Sequence, residues 1–235
     1  MSKPAKTILV ISDTHAPYMH VDAADFLQAI KETYKPDRIV HIGDEVDKHD
    51  MSFHTSDPNL SNAKDELAQA ITQLQPLYKM FPKVDVLHSN HGSLAFRKAM
   101  ANGIPDNYIR PYGEVLEAPK GWKWHEELVI NTGGQDIVFR HQFTKKILLN
   151  GQMIARSVVS GHFHENFQIE YASSPDRLIW AMMVGCLIDK DSRAFAYNKT
   201  NVKRPIIGCG LVIDGHPMLV PMVLSKTGRW IQKLV

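Results

Sequence analysis

The stretch "TILVISDTH", Thr7 to His15, is an unbroken apolar run that ends in an aspartate and a histidine. Apolar residues without polar alternation are expected of a strand buried on both faces, as in a parallel sheet covered by helices. In such sheets, ligands bind beyond the carboxyl ends of the strands. Asp13 and His15 stand at that end, which makes them candidate site residues.

Outward from this strand, the chain alternates. Residues Ala23 to Tyr34 fit a helix with Phe26, Leu27 and Ile30 inward, stopped by Lys35-Pro36-Asp37. Arg38 to Ile42 reads as a second buried strand. Residues Ala63 to Tyr78 carry Leu67, Ala70, Ile71, Leu74 and Leu77 at helical spacing, and Val84 to His88 reads as a third strand. Helices are expected over Leu94 to Ala101 and Asp106 to Leu116. The texture then changes to short apolar segments: 122–130, 136–141, 157–160, 166–172, 177–184, 206–213 and 217–224. Asn131 to Gln135, "NTGGQ", is a hairpin signal. A β-α-β-α-β half followed by a mostly β half predicts one α/β domain over 1–235, built from two packed sheets with helices outside.

Composition narrows the function classes. The 235 residues are 44% hydrophobic and 22% charged, as in globular proteins. A net charge of +2 neither demands nor excludes a polyanionic partner. No apolar stretch approaches the roughly 18 residues that span a bilayer, so no membrane role is expected. The N-terminus lacks a signal-peptide layout, because its short apolar run is followed at once by Asp13. Cys186 and Cys209 are too few for a disulfide framework and are expected to sit reduced in a cytoplasmic protein.

The ends of the buried strands make one constellation. Asp13 and His15 close the first strand, Asp44 the second, and Asn90 with His91 the third. His141 ends "VFRH", and His162 and His164 end "VVSGHFH". Asp13, His15, Asp44, Asn90, His141, His162 and His164 are more donors than one ion can use while keeping an open position. Two ions about 3.5–4 Å apart could share Asp44 as a bridging carboxylate. Two divalent cations would outweigh the two carboxylates and leave positive charge for a hydroxide and an anionic phosphate. With no cysteine in the set, manganese, iron, cobalt, nickel or zinc is expected, manganese foremost.

Asp13-x-His15, Gly43-Asp44-x-x-Asp47, Asn90-His91 and Gly161-His162-x-His164, in this order, resemble the calcineurin-like metallophosphoesterase superfamily. "FRKAMANGIP", "EAPKGWKWHEE" and "VGCLIDKDSRAFAY" are similar to small members often encoded by bacteriophages, which would place the protein in a host cytoplasm. The resemblance implies a four-layer α-β-β-α sandwich of two packed mixed sheets. It also implies that Asp13, His15 and His164 hold one metal, that Asn90, His141 and His162 hold the other, and that Asp44 bridges. The nucleophile would be a metal-bridging hydroxide attacking phosphorus in line. His91 would act as the proton donor, or stabilise charge on the phosphoryl group, near the leaving oxygen. The superfamily usually places glycine before Asn-His and an acidic residue after it; here these are Ser89 and Gly92. Protein phosphatases of the superfamily carry Arg-Gly after the second aspartate; here Lys48-His49 follows Asp47, which argues against that class.

Other residues read more plainly. Asp47 is expected to orient a ligand histidine. His41 and His88 are expected as hydrogen-bonded core histidines, and Trp122 and Trp124 as packing. His49 and His54 are expected in a solvated loop, and residues 144–146 and 203–205 as solvated positive clusters. Arg97, one helical turn past the Asn-His loop, could reach a phosphate, although a solvated position is the plainer expectation. The expected activity is hydrolysis of a small phosphorylated substrate of nucleotide type, monoester ahead of diester. A DNA or RNA nuclease is the alternative, and a non-catalytic metal-stabilised scaffold the third reading.

Overall fold

The computed structural model describes residues 5–53, 57–173, 175–198 and 202–234. Strands β1 (Thr7–Ile11), β2 (Arg38–His41), β3 (Lys83–Leu87) and β4 (Gly121–His125) run parallel in one sheet. Strands β5 (Leu128–Thr132), β6 (Gln135–Phe139), β7 (Ser157–Ser160), β8 (Phe167–Ser173) and β9 (Leu178–Val184) form a second sheet in the order β5-β6-β7-β9-β8. β10 (Gly208–Ile213) and β11 (His216–Pro221) complete the first sheet antiparallel, giving β11-β10-β1-β2-β3-β4.

The continuous apolar runs serve two interiors at once. Leu9 and Ile11 pack with Ile39, Val84 and Val86 against α1 (Ala23–Tyr34) and α2 (Ala63–Met80). Ile8 and Val10, pointing the other way, pack with Val40, Ile42 and Leu87 against Ile137, Phe139, Val159, Trp180 and Met182 of the second sheet. The outer face of the second sheet is covered by α5 (Ile147–Met153), with Ile147 against Val138, Val158 and Met183. The layers are therefore helix, sheet, sheet, helix, and both sheets are mixed. Both cysteines are free and buried. No described helix is long and apolar enough to cross a membrane.

Three local expectations are corrected, and one helix is added. The segment 122–130 is two strands in different sheets: β4 pairs with β3, the chain crosses at Glu126-Glu127, and β5 pairs with β6. Residues 106–116 are a 3-10 turn at Asp106–Tyr108 and a short α4 (Tyr112–Val115), after α3 (Leu94–Ala101). Pro111 lies between them, with no N–H to continue a helix and a bias of Arg110 toward extended backbone. Helix α5 was not legible, because Asn150 and Gly151 interrupt a short apolar pattern; it is the crossover that makes β6 and β7 parallel. His88 lies past the end of β3 and is exposed, whereas His41 is buried and bonded to Thr14 Oγ1 at 3.3 Å and to the Gly43 N–H at 3.1 Å.

Trp180 is the largest side chain in the inter-sheet core, 1% exposed, and its Nε1 donates to the Gly215 carbonyl at 3.0 Å. Trp180→Ala is expected to lower stability by about 3–5 kcal/mol, read as a fall in the urea midpoint. A midpoint within experimental error of the parent contradicts this packing.

Candidate metal centre

Every polar residue at a strand end named from sequence lies at one edge where the two sheets meet. The turns after β1 and β2 extend the ladder beyond the strands: Asp13 N–H donates to the Gly43 carbonyl at 3.1 Å and His15 N–H to the Asp44 carbonyl at 2.9 Å. This clasp holds Asp13, His15 and Asp44 in left-handed backbone, with φ of 49°, 45° and 53°; His162 follows at 67°. Such torsions cost non-glycine residues on the order of 1–3 kcal/mol each and persist only where the surroundings impose them. Gly43 has φ 107°, and a side chain there would run into Leu87 O and Ser89 Cβ. A Cβ on Gly161 would collide with Ser12 Oγ and Asp13 Oδ2.

Asp44 is the centre of the arrangement. Its Oδ1 accepts the His91 N–H at 3.1 Å. Its Oδ2 lies 3.6 Å from His15 Nε2 on one side and 3.3 Å from His141 Nε2 on the other. Asp13 Oδ1 stands 3.2 Å from His164 Nε2 and 3.8 Å from His15 Nε2. Asn90 Oδ1 is 2.7 Å from His141 Nε2 and 3.1 Å from His162 Nδ1. Ligand atoms around one ion with bonds of about 2.1 Å keep separations of roughly 3.0–3.4 Å; the separations of 3.1, 3.2 and 3.3 Å match that size, the one of 2.7 Å is shorter, and the two to His15 Nε2, 3.6 and 3.8 Å, are longer.

The second ring nitrogens of His15 and His141 are committed elsewhere. His15 Nδ1–H donates to Asp47 Oδ1 at 2.6 Å and His141 Nδ1–H to the Ile42 carbonyl at 3.0 Å. These bonds fix the tautomers and leave both Nε2 lone pairs aimed into the cluster. His15 Nε2 is buried and has no hydrogen-bond partner. A buried ring nitrogen beside two carboxylates, with no hydrogen bond among the described residues, is a position that suits a cation ligand. Asp13, His15 and His164 form one group fit to hold a metal ion, Asp44, His141 and His162 another, and His15, Asp44 and His91 a third that shares residues with both.

Charge bears this out. Burial works against the charge on Asp13 and Asp44, yet the surrounding histidines hold both carboxyls well below the usual carboxylate range. Burial also opposes a proton on His141, but Asp44 and Asp13 outweigh it and push the imidazole up to about 9. His15 is raised well above its ordinary value against the same opposition, by Asp13, Asp47 and Asp44.

The loop after β3 explains both departures from the superfamily pattern. Ser89 Oγ accepts the Asp44 N–H at 2.9 Å and the Gly92 N–H at 3.0 Å, tying two ligand loops together. A Cβ on Gly92 would come within 2.9 Å of that hydroxyl, so serine before Asn90-His91 and a side chain after it compete for one space. His91 Nδ1–H donates to the Asp47 carbonyl, which takes the place of the absent carboxylate. Lys48 is buried behind the loop, donating to the Gly92 carbonyl at 2.7 Å with its ammonium 4.1 Å from the Tyr112 ring centre.

A cavity of about 1290 Å³ opens over the cluster, lined by His15, Asp44, His91, His162 and His164 and rimmed by Phe53, Arg97 and Lys203. Arg97 Nη2 donates to the Asn90 carbonyl at 2.8 Å, so it braces the ligand loop at the cavity wall. His49 lines the same cavity, and His54 lies outside the described residues. Trp122 and Trp124 are packed, their indoles donating to Phe81 O and Glu45 Oε1. Lys145 pairs with Glu165 at 3.0 Å. Phe53 was missed from sequence, because a lone aromatic in a polar loop has no periodicity to mark it.

Residues 6–166 match the calcineurin-like phosphoesterase family, and the chain belongs to it. Among solved structures, the phosphoesterase Yfce from E. coli is 11% identical, with a TM-score of 0.47 over 97% of this chain and 98% of that one. Vps29 from Chaetomium thermophilum is 11% identical, with a TM-score of 0.49 over 97% and 94%. An archaeal phosphodiesterase is 12% identical, with a TM-score of 0.46 over 91% and 99%. No curated protein matches the chain.

Metal ligands must be deprotonated. A cation entering this cluster therefore displaces protons from His15 and His141, and its binding strengthens as pH rises through about 9, where His141 loses its proton unaided. Calorimetric titration with Mn²⁺ near neutral pH, repeated in buffers of different ionisation enthalpy, is expected to show proton release and weaker uptake toward acid. Binding without proton release contradicts the charged state of these imidazoles.

Proposed function

We propose that the chain hydrolyses phosphoester bonds in small nucleotide-type substrates with two divalent transition-metal ions, manganese foremost, and favours monoesters over diesters. The carrying observation is Asp44 Oδ2, which stands between His15 Nε2 and His141 Nε2 at 3.6 and 3.3 Å. On this reading Asp13, His15 and His164 hold one ion, Asn90, His141 and His162 the other, and Asp44 serves both. When bound, the ions would acidify a water and neutralise charge on the phosphoryl group. The chain's own residues do the rest. Asp47 holds His15 through its carboxylate and His91 through its carbonyl, so one residue orients a ligand and the proton carrier together. His91, engaged at Nδ1, can give the leaving oxygen a proton from Nε2 only as the imidazolium, a form that burial disfavours and that Asp44 and Asp47 favour. The cavity is large enough for a mononucleotide, somewhat above the roughly 300–1,000 Å³ common for small-ligand sites. That scale favours a small substrate over a nucleic-acid duplex.

Asp44→Asn is expected to cut Mn²⁺-dependent turnover of a nucleotide panel by at least about a hundredfold, with metal analysis falling below the parent's two ions per chain. A scaffold would lose thermal stability with no turnover to lose, and a parent inactive on monoesters and diesters across several metals refutes the enzyme reading. His91→Ala is expected to slow substrates with poor leaving groups by about 10²–10⁴-fold and p-nitrophenyl esters far less. Equal losses on both rule out proton donation.

A further inference from the structure

Phe53 is a large apolar side chain left open on a polar rim. It is 59% exposed, and it lines the cavity whose floor carries His15, Asp44, Asn90, His162 and His164. An isolated exposed phenylalanine needs no explanation, but this one has company. The Arg97 guanidinium lies 5.3 Å from its ring centre and the Lys98 ammonium 5.5 Å. Arg97 is itself fixed, donating to the Asn90 carbonyl at 2.8 Å and to Ser93 Oγ at 3.2 Å. Ring and cations thus form a platform anchored to the same loop that supplies Asn90 and His91. An exposed aromatic ring with two cations over it, one of them held in place, attracts a flat, electron-rich ring joined to an anion, by stacking on the ring and by charge. An alkyl group gains little from it.

We propose that Phe53, backed by Arg97 and Lys98, is a specificity-determining platform that stacks the aromatic part of a phosphorylated ligand, a nucleobase or a simple aryl group, while its phosphoryl group lies over the metal centre. This rests on the reading that the cluster receives a phosphoryl group, and it adds what chooses the organic half. The Phe53 side chain carries no polar group, so its removal takes no hydrogen bond from a metal ligand.

Phosphonates separate the two ideas, because their P–C bond resists hydrolysis. Methylphosphonate, phenylphosphonate and an adenosine phosphonate are titrated calorimetrically into the Mn²⁺-loaded protein. The two aromatic ligands are expected to bind about tenfold tighter than the methyl compound, the scale of one stacked base. Phe53→Ala is expected to erase that margin and leave methylphosphonate unchanged, while Phe53→Trp preserves it. The larger of the two aromatic margins distinguishes a nucleobase from an aryl group. A margin that survives Phe53→Ala, an equal loss for all three ligands, or no binding of any of them overturns the platform. If the margin depends on Phe53 but no phosphoester is hydrolysed, the platform stands and the hydrolase reading falls. If esters are hydrolysed without the margin, only the platform falls.

Discussion

The centre depends on two buried carboxylates. Asp13 and Asp44 are 0% and 1% exposed, and both remain ionised only because imidazoles face them from several sides. An unpaired charge in such a place is heavily penalised. Two of the histidines have their second nitrogen tied to something outside the ligand set, Asp47 for His15 and the Ile42 carbonyl for His141. The negative pair, the aimed lone pairs and their outer partners form one mutually dependent set, and the closed ends of β1, β2 and β6 exist to carry it.

Ser89 and Gly92 show how a local departure from a family pattern can be self-consistent. A hydroxyl that bonds Asp44 N–H and Gly92 N–H occupies the room that a side chain at position 92 would need. With no carboxylate available there, His91 takes the Asp47 carbonyl as its partner. Lys48 holds the same loop from behind through the Gly92 carbonyl. His91 is thus supported from the neighbouring loop and not from its own.

The strand ends were the most legible part of the sequence. Burial on both faces leaves an unmistakable run, as in Thr7–Ile11, and polar residues directly after such runs have few other uses. Helices α1, α2 and α3 were equally plain, because apolar spacing marks them. The sheet change inside 122–130 was hidden, since Trp124 and Leu128 look alike to a pattern that carries no direction. Helix α5 was hidden by its brevity, and the break at Pro111 by the apolar residues around it. His88 misled because strand character ended one residue sooner than its neighbours implied. Roles that need a third dimension, such as the Asp47 carbonyl serving His91 or Phe53 flanked by Arg97 and Lys98, have no signature along the chain.

The left-handed torsions at Asp13, His15, Asp44 and His162 bear on how ions would come and go. Because cross-loop bonds such as Asp13 N–H to Gly43 O lock these turns, the donors are positioned during folding, not gathered around an arriving cation. An ion would then find little slack in the cage, and escape would require several rigid anchors to let go in succession. Slow exchange kinetics, out of proportion to equilibrium affinity, is the natural property of a clasp shaped by its backbone.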